Sequence, residues 1–297
     1  MDIFLQCVIQ GIAQGAIYSL IALGYSIIYS TLRMGHFAQG DFFMFGAVVG
    51  YYSFVRAEVP LIFSICMAMG FTAILMLIVE RGVYRPMYTR PGIGLMIATM
   101  GMQYIVQEIV KIVFGSEPRK MPPIFGADNK TYAFKFFGSE LRAAQTDLMI
   151  ILICTVFMIS LALFIKYTKV GVAMSAVSIN RRAAQLMGIK LTTIIAVTYI
   201  LAAAFSAMAG VLTAPRFSVV FTMGSAPGAK AMTSAVMGGF GNMPGAMLGG
   251  VIMGIIEILS AFYISSAYRD VVVFVVLTTV LFWRPQGILG RRSITKV

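Results

Sequence analysis

The run from Ile3 to Leu32 contains no Asp, Glu, Lys or Arg. As α-helix it would extend about 45 Å, more than the roughly 30 Å of hydrocarbon in a bilayer. It reads as one tilted or broken membrane helix. Further apolar spans follow at Val59–Val79, Gly92–Phe114, Leu148–Ile165 and Leu191–Leu212. In hydrocarbon every backbone polar group must find its partner inside the protein, which leaves helices and closed barrels. Runs of this length select helices. Only 11% of the residues are charged and 59% are hydrophobic, against roughly 25% charged in a soluble domain, so little chain remains for a soluble domain. The expected fold is all-α: a polytopic transmembrane bundle of about eight or nine helices, one domain over 1–297.

Two regions point to broken or half-helices. "RMGHFAQGDF" interrupts the first run, and the apolar piece after it, Phe42–Val55, would extend only about 21 Å as helix. A half-helix that re-enters the bundle fits it, provided that protein or a water cavity covers its end. The last third is rich in glycine and reads as two helices broken near Gly241–Pro244, the second running from about Gly245 to Ala267. Residues 271–283 form a final short span. Gly11/Gly15, Gly46/Gly50, Gly245/Gly249 and Gly250/Gly254 repeat at four residues, the spacing that lets membrane helices approach closely.

The net charge of +12 does not indicate nucleic acid, because the cations are grouped between spans. Arg81, Arg85 and Arg90 form one group. Lys166, Lys169, Arg181, Arg182 and Lys190 form a second, and Arg284, Arg291, Arg292 and Lys296 a third. Such groups stay on the cytoplasmic side. The stretch 115–147, where Glu117, Asp128, Glu140 and Asp147 interleave with cations, is expected outside. "MPPIFG" and "FFGSE" within it read as turns or short irregular structure. The C-terminus then falls inside, and no cleavable signal peptide is evident. Cys7, Cys66 and Cys154 sit far apart in apolar runs and read as small buried hydrophobes, not as a disulfide set or metal site. With His36 as the single histidine, no metal centre is expected.

"GVAMSAVSINRRAAQLMGIK", 171–190, is a different kind of segment. Val172, Ala176, Ile179, Ala183 and Leu186 share one face of a helix, and Ser175, Ser178, Arg182 and Gln185 the opposing face. Gly188 sits where such a helix would stop. Two readings stand from spacing: a helix lying on anionic lipid at the inner leaflet, or a docking helix for a cytosolic partner, which its small residues suit.

Four ordered motifs bear on that choice. "GAIYSLIALGYSIIYSTLRMGHFAQGDFFMFGAVVGYY" (15–52), "ERGVYRPMYTR" (80–90), "GGFGNMPGAMLGGVIMGIIE" (238–257) and "YRDVVVFVVLTTVLFWRPQGILG" (268–290) together resemble the LivH-type permeases of ABC importers for branched-chain amino acids, over nearly the whole chain. The resemblance implies a translocation subunit of the bacterial cytoplasmic (inner) membrane. Its implied partners are a second related permease in a heterodimer, two cytosolic ATPases, an extracytoplasmic solute-binding protein and an amino-acid substrate, besides membrane lipid. It also implies that 171–190 is the segment seated on the ATPases. Asn180, Ala183, Ala184 and Gly188 match the family pattern there, with Ser178, Arg181 and Arg182 beside them. Ile179 stands where the family often has Glu. His36 and Gln39 replace the Asn and His of its Asn-Phe-Ala-His-Gly-Asp/Glu signature. Tyr18, His36, Gln39, Asp41 and Glu257 are the candidates for the pathway.

No phosphate-cradling Gly-x-x-x-x-Gly-Lys-Ser/Thr loop occurs, nor any Ser-His-Asp set, so neither catalysis nor a cofactor is expected and the driving energy must come from another subunit. Charges inside spans mark function or structural pairing. Glu257 reads as a structural partner or a gate residue. Glu108 and Lys111 read as an interfacial pair, and Asp41 as a helix cap or a partner of Arg33. Lys230 reads as the outer start of its helix, Arg269-Asp270 as an outer turn, and Trp283 as an interfacial anchor. Permeases of this kind also serve urea, amides and other amino acids. An independent secondary transporter would need coupling-site ionisable groups and an inverted repeat, neither of which stands out. An oligomeric channel is the third alternative.

Overall fold

The computed structural model describes residues 2–88, 92–124, 131–136 and 139–290. Arg90, Asp128, Arg291, Arg292 and Lys296 lie outside the described residues, as do parts of "MPPIFG" and "FFGSE". The helices described are α1 (Asp2–Leu32), α2 (Gln39–Tyr51), α3 (Leu61–Val79), α4 (Gly92–Phe114), α5 (Gln145–Tyr167), α6 (Lys169–Ile179), α7 (Arg181–Leu186), α8 (Leu191–Thr213), α9 (Ser225–Gly239), α10 (Met243–Tyr263) and α11 (Arg269–Trp283). Among the described residues, six helical stretches are long and apolar enough to cross a membrane. The shorter α2, α9 and α11 complete a polytopic bundle, in line with the expected architecture. The break expected near Gly241–Pro244 separates α9 from α10, with Pro244 in the first turn of α10, where its missing N–H is not needed. Between α4 and α5, β1 (Thr131–Phe136) pairs antiparallel with β2 (Ser139–Ala144), Thr131 opposite Ala144. A hairpin therefore stands where the sequence suggested turns or irregular chain.

All four glycine pairs lie at helix crossings. Gly11 and Gly15 of α1 lie against α10: a Cβ on Gly11 would come 2.7 Å from the Cα of Ile255, and one on Gly15 2.6 Å from that of Val251. Gly250 and Gly254 return the contact against Ser19 and Gly15, and Gly245 and Gly249 meet Gly238 and Ser234 of α9. Gly46 and Gly50 of α2 face Ala207 and Val211 of α8. Ser19 Oγ adds a 2.7 Å bond to the Met247 carbonyl.

Two helices begin inside the bundle. α1 stops at Leu32, where Arg33 takes a left-handed φ of 57°, a conformation costly for a residue with a Cβ. The chain then climbs to α2, whose first residue is tied halfway along α8: Gln39 Nε2 donates to the Ala202 carbonyl at 2.8 Å and to Ser206 Oγ at 2.6 Å. From the far end of α8 the chain returns through Val219, which pairs with Arg119, and α9 starts at Ser225 beside Gly40. Gly40 meets Gly224 and Gly228 backbone to backbone. The half-helix expected after "RMGHFAQGDF" is thus present, and α9 is a second. Lys230, read as an outer helix start, instead lies one turn inside α9 and is buried.

The segment 171–190 is not one helix. Asn180 breaks it into α6 and α7 at φ −150°, ψ 106°, and its side chain accepts from the Ala183 N–H at 3.1 Å. Asn is a favoured N-cap, and capping competes with helix continuation. The stop at Gly188 is as expected, with φ 82°. The apolar face traced as a single stripe does not point inward either. Gly171, Met174, Val177 and Ala184 are buried, whereas Val172, Ile179 and Leu186 are exposed. The end of α1 meets the end of α6, Tyr84 beyond α3 packs on Tyr199 of α8, and Leu289 bonds to Gly238. The exposed Arg81, Arg85, Lys166, Lys169, Arg182, Lys190 and Arg284 therefore share one end of the bundle.

Gly15→Val should cost about 2 kcal/mol or more, since added methyl groups have only the α10 backbone to displace. Gly70→Val, at a helical glycine with nothing within 4 Å of a Cβ, should be nearly neutral. Thermal unfolding of both variants in detergent measures the difference.

Candidate functional site

Where the two half-helices meet, a groove of about 380 Å³ opens between them and the helices α4 and α11. This falls within the roughly 300–1,000 Å³ typical of small-molecule clefts. One face of α9 supplies a wall: Ser225, Gly228, Ala229, Met232, Thr233 and Val236, spaced at three and four residues so that they line up. Asp41 of α2 faces them, with Gln103 of α4 and Tyr25 of α1. The Asp41 carboxylate accepts a 2.6 Å bond from Gln107 Nε2, which also reaches Ser225 Oγ at 3.3 Å. The expected pair with Arg33 does not form; Arg33 Nη2 donates instead to the Ser178 carbonyl at 2.9 Å. Nor is Asp41 the N-cap of α2: Ala38 holds that position, and Asp41 sits in the first turn.

On the far side of α9 lies a charge cluster. Lys230 Nζ sits 2.6 Å from Glu257 and 2.7 Å from Asp270, while Arg269 Nε is 3.5 Å from Asp270 and 3.8 Å from Glu257. Tyr18 donates to the other Glu257 oxygen at 2.6 Å. The Lys230 and Glu257 side chains are 6% and 5% exposed. Two cations and two carboxylates balance, so the cluster ties α1, α9, α10 and α11 together without net charge. Arg269 and Asp270, read as a turn, open α11 and belong to this cluster. Glu108 and Lys111 form the expected exposed pair at 3.2 Å.

Of the five pathway candidates, Asp41 alone lines the groove. Tyr18 and Glu257 belong to the charge cluster. His36 is buried between Tyr84 and Tyr199, with ring centroids at 5.4 and 5.3 Å and Nε2 3.2 Å from the Tyr84 hydroxyl. Gln39 fastens α2 to α8. His36 and Gln39, the two departures from the family signature, each hold a buried polar atom, Nδ1 and Oε1, with no hydrogen-bond partner among the described residues. Sequence reasoning missed Tyr25, Gln103, Gln107 and Ser225. The small-residue face of α9 was the available signal.

The coupling candidates do gather. Ser178, Asn180, Arg181 and Arg182 line a second concavity of about 380 Å³ with Ser30 and Arg33 of the α1 end. Arg181 Nε donates to the Thr31 carbonyl at 2.8 Å and its Nη2 to the same oxygen. Burial first, and then nearby Arg33, lower the pKa of Arg181. An arginine starts so high that it stays charged. Each of these two arginines thus satisfies a carbonyl at the C-terminal end of the other's helical neighbour, a helix-end acceptor that otherwise lacks a partner. Ala183 and Gly188 are exposed. Ala184 is buried at 4%, so it supports the helix pair from beneath.

A family model described as the branched-chain amino acid transport system / permease component matches residues 7–281. The chain belongs to this family. It is 34% identical to the high-affinity branched-chain amino acid transport system permease protein LivH of Escherichia coli K12, over 99% of this chain and 98% of that protein. It is 33% identical to the BraD permease protein of Pseudomonas aeruginosa over the same shares. A probable LivH permease of Methanocaldococcus jannaschii is 27% identical over 94% and 92%. Among solved structures, PsaBC from Streptococcus pneumoniae in complex with Fab has a chain of like fold, with a TM-score of 0.52 and 9% identity over 93% of this chain and 91% of that one. The permease is accordingly a multi-pass membrane protein and a transport subunit rather than an enzyme.

Lys230→Met should cost about 3–5 kcal/mol, because it strands the buried carboxylate of Glu257. Adding Glu257→Leu should restore most of that loss, since Arg269 still neutralises Asp270. Melting temperatures of the two single variants and the double variant, compared as a cycle, test this. Simple additivity would show that Lys230 and Glu257 do not act as a pair.

Proposed function

We propose that this permease forms part of the translocation pathway of an ABC importer for branched-chain amino acids in the bacterial cytoplasmic (inner) membrane. Its basic end and C-terminus face the cytoplasm. The kinship with LivH and BraD supports the substrate class. The collection of exposed Lys and Arg at one end supports the orientation, since cytoplasmic loops carry such an excess. A pair of ATPases docks on α6 and α7, a solute-binding protein on the loops and hairpin at the opposite end, and a second, related permease completes the transmembrane unit. The sequence carries no phosphate-binding loop of its own, so ATP hydrolysis belongs to those partners.

One observation carries the docking assignment. Ile179, Leu186 and Met187 are 84%, 88% and 84% exposed, in a ring of basic residues on two short helices lashed to the end of α1. Large apolar side chains grouped on a protruding surface mark an interaction site. Transport of urea or amides remains an alternative within the same architecture.

Ile179→Asp together with Leu186→Asp should leave the melting temperature of the isolated permease unchanged. The two changes should lower ATP-driven leucine uptake by the reconstituted complex at least about tenfold, as for interface anchors worth about 2 kcal/mol or more. Normal uptake by that double variant would remove the assignment. Ala184→Glu, by contrast, should lower the melting temperature itself, because it forces a carboxylate beneath α7.

A further inference from the structure

We propose that Asp41 is the residue that holds the ammonium group of the amino-acid substrate as it passes through the permease. The inference rests on the transport reading above and assigns its specificity to one side chain. Asp41 is 1% exposed overall, yet it lines the groove. It forms no ion pair with any described residue; its side-chain partner is the neutral amide of Gln107. The other intramembrane carboxylate, Glu257, is fully matched by Lys230, Arg269 and Tyr18. A buried carboxylate facing a cavity with no fixed cation is suited to a cation that arrives and leaves.

The rest of the groove suits the remainder of such a substrate. A carboxylate accepts about four hydrogen bonds, so Asp41 keeps capacity beyond Gln107. Ser225 hydroxyl and Gln103 amide lie on the lining beside it and can donate to a substrate carboxylate. Further along the same α9 face the lining turns apolar at Met232 and Val236, with Leu277 of α11 opposite, which matches an aliphatic side chain. Gly40, Gly224 and Gly228 leave the corner without Cβ atoms. A Cβ at any of them would strike the facing backbone and push the starts of α2 and α9 apart.

The test uses the complete complex in liposomes with Cys7, Cys66 and Cys154 replaced by serine and Ala229→Cys introduced on the exposed groove wall. Maleimide labelling of position 229 is followed with L-leucine, 3-methylbutylamine, which lacks the carboxylate, or 4-methylpentanoate, which lacks the ammonium. Leucine and the amine should slow labelling, and 4-methylpentanoate should not. In Asp41→Asn, half-protection by leucine should need at least about tenfold more ligand, as expected for losing one hydrogen bond to a charged group, while Asp41→Glu should restore protection. A merely structural role of Asp41 would not make protection depend on the ammonium group. Equal protection by leucine and 4-methylpentanoate would overturn the proposal. So would absence of protection in a complex that still takes up leucine with ATP, and that result would leave the transport reading intact. A complex with neither uptake nor protection would defeat both.

Discussion

Helices in hydrocarbon gain little by exchanging lipid for another apolar surface, so their association depends on close backbone packing and on hydrogen bonds. That constraint governs this bundle. α1 meets α10 through Gly11, Gly15, Gly250 and Gly254, α10 meets α9 through Gly245 and Gly249, and α2 meets α8 through Gly46 and Gly50. Contacts of this kind have no side chain to rotate out of the way. Helices joined by them move together or come apart. The exposed isoleucines, leucines and phenylalanines of α3, α4 and α5 face outward, where lipid is their natural solvent.

The same packing permits two helices to begin at half-depth. A helix start carries backbone N–H groups without partners, tolerable in a membrane only inside protein or beside a cavity. Here the starts of α2 and α9 shelter each other at Gly40 and Gly224, with the groove next to them. α9 then separates two treatments of charge. On one side Lys230, Glu257, Arg269 and Asp270 neutralise each other and brace four helices. On the other side Asp41 has no matching cation among the described residues and bonds instead to the Gln107 amide. Balanced charge is structural in this arrangement, and the unbalanced charge is where a ligand has something to supply.

The sequence made the architecture legible because its signals were local. Uncharged runs set the spans, the four-residue glycine repeats lay at crossings, and Pro244 marked a break. The site was less legible, since it depends on contacts distant in sequence. Tyr18 and Glu257 are 239 residues apart, and Asp41 meets Gln107 across 66. No spacing rule joins such pairs. Glu257 was recognisable as a costly charge, but its partner Lys230 was placed at the surface because a lysine near the start of an apolar run ordinarily snorkels to the interface. The 171–190 segment misled in the opposite sense. Its helical periodicity is real in each half, but Asn180 resets the phase by capping α7. The stripe that looked like a buried face is the one left exposed.

That exposed stripe stands in mechanical contact with the groove. Arg181 holds the Thr31 carbonyl of α1 and Arg33 holds the Ser178 carbonyl of α6, so α7 cannot tilt without drawing the end of α1. α1 is packed on the backbone of α10, and α10 on that of α9, which forms one groove wall. The facing wall, α2, is anchored elsewhere, to α8 through Gln39 and Gly46. On the proposed docking at α7, a displacement there would reach the two walls through different anchors and change the space between them. Close packing favours discrete arrangements over continuous deformation. Coupling of this kind needs no wire of special residues. The two glycine-packed units, α1–α10–α9 and α2–α8, meet along α1 and α8 and at the starts of α2 and α9, Gly40 against Gly224, beside the groove that Asp41 lines.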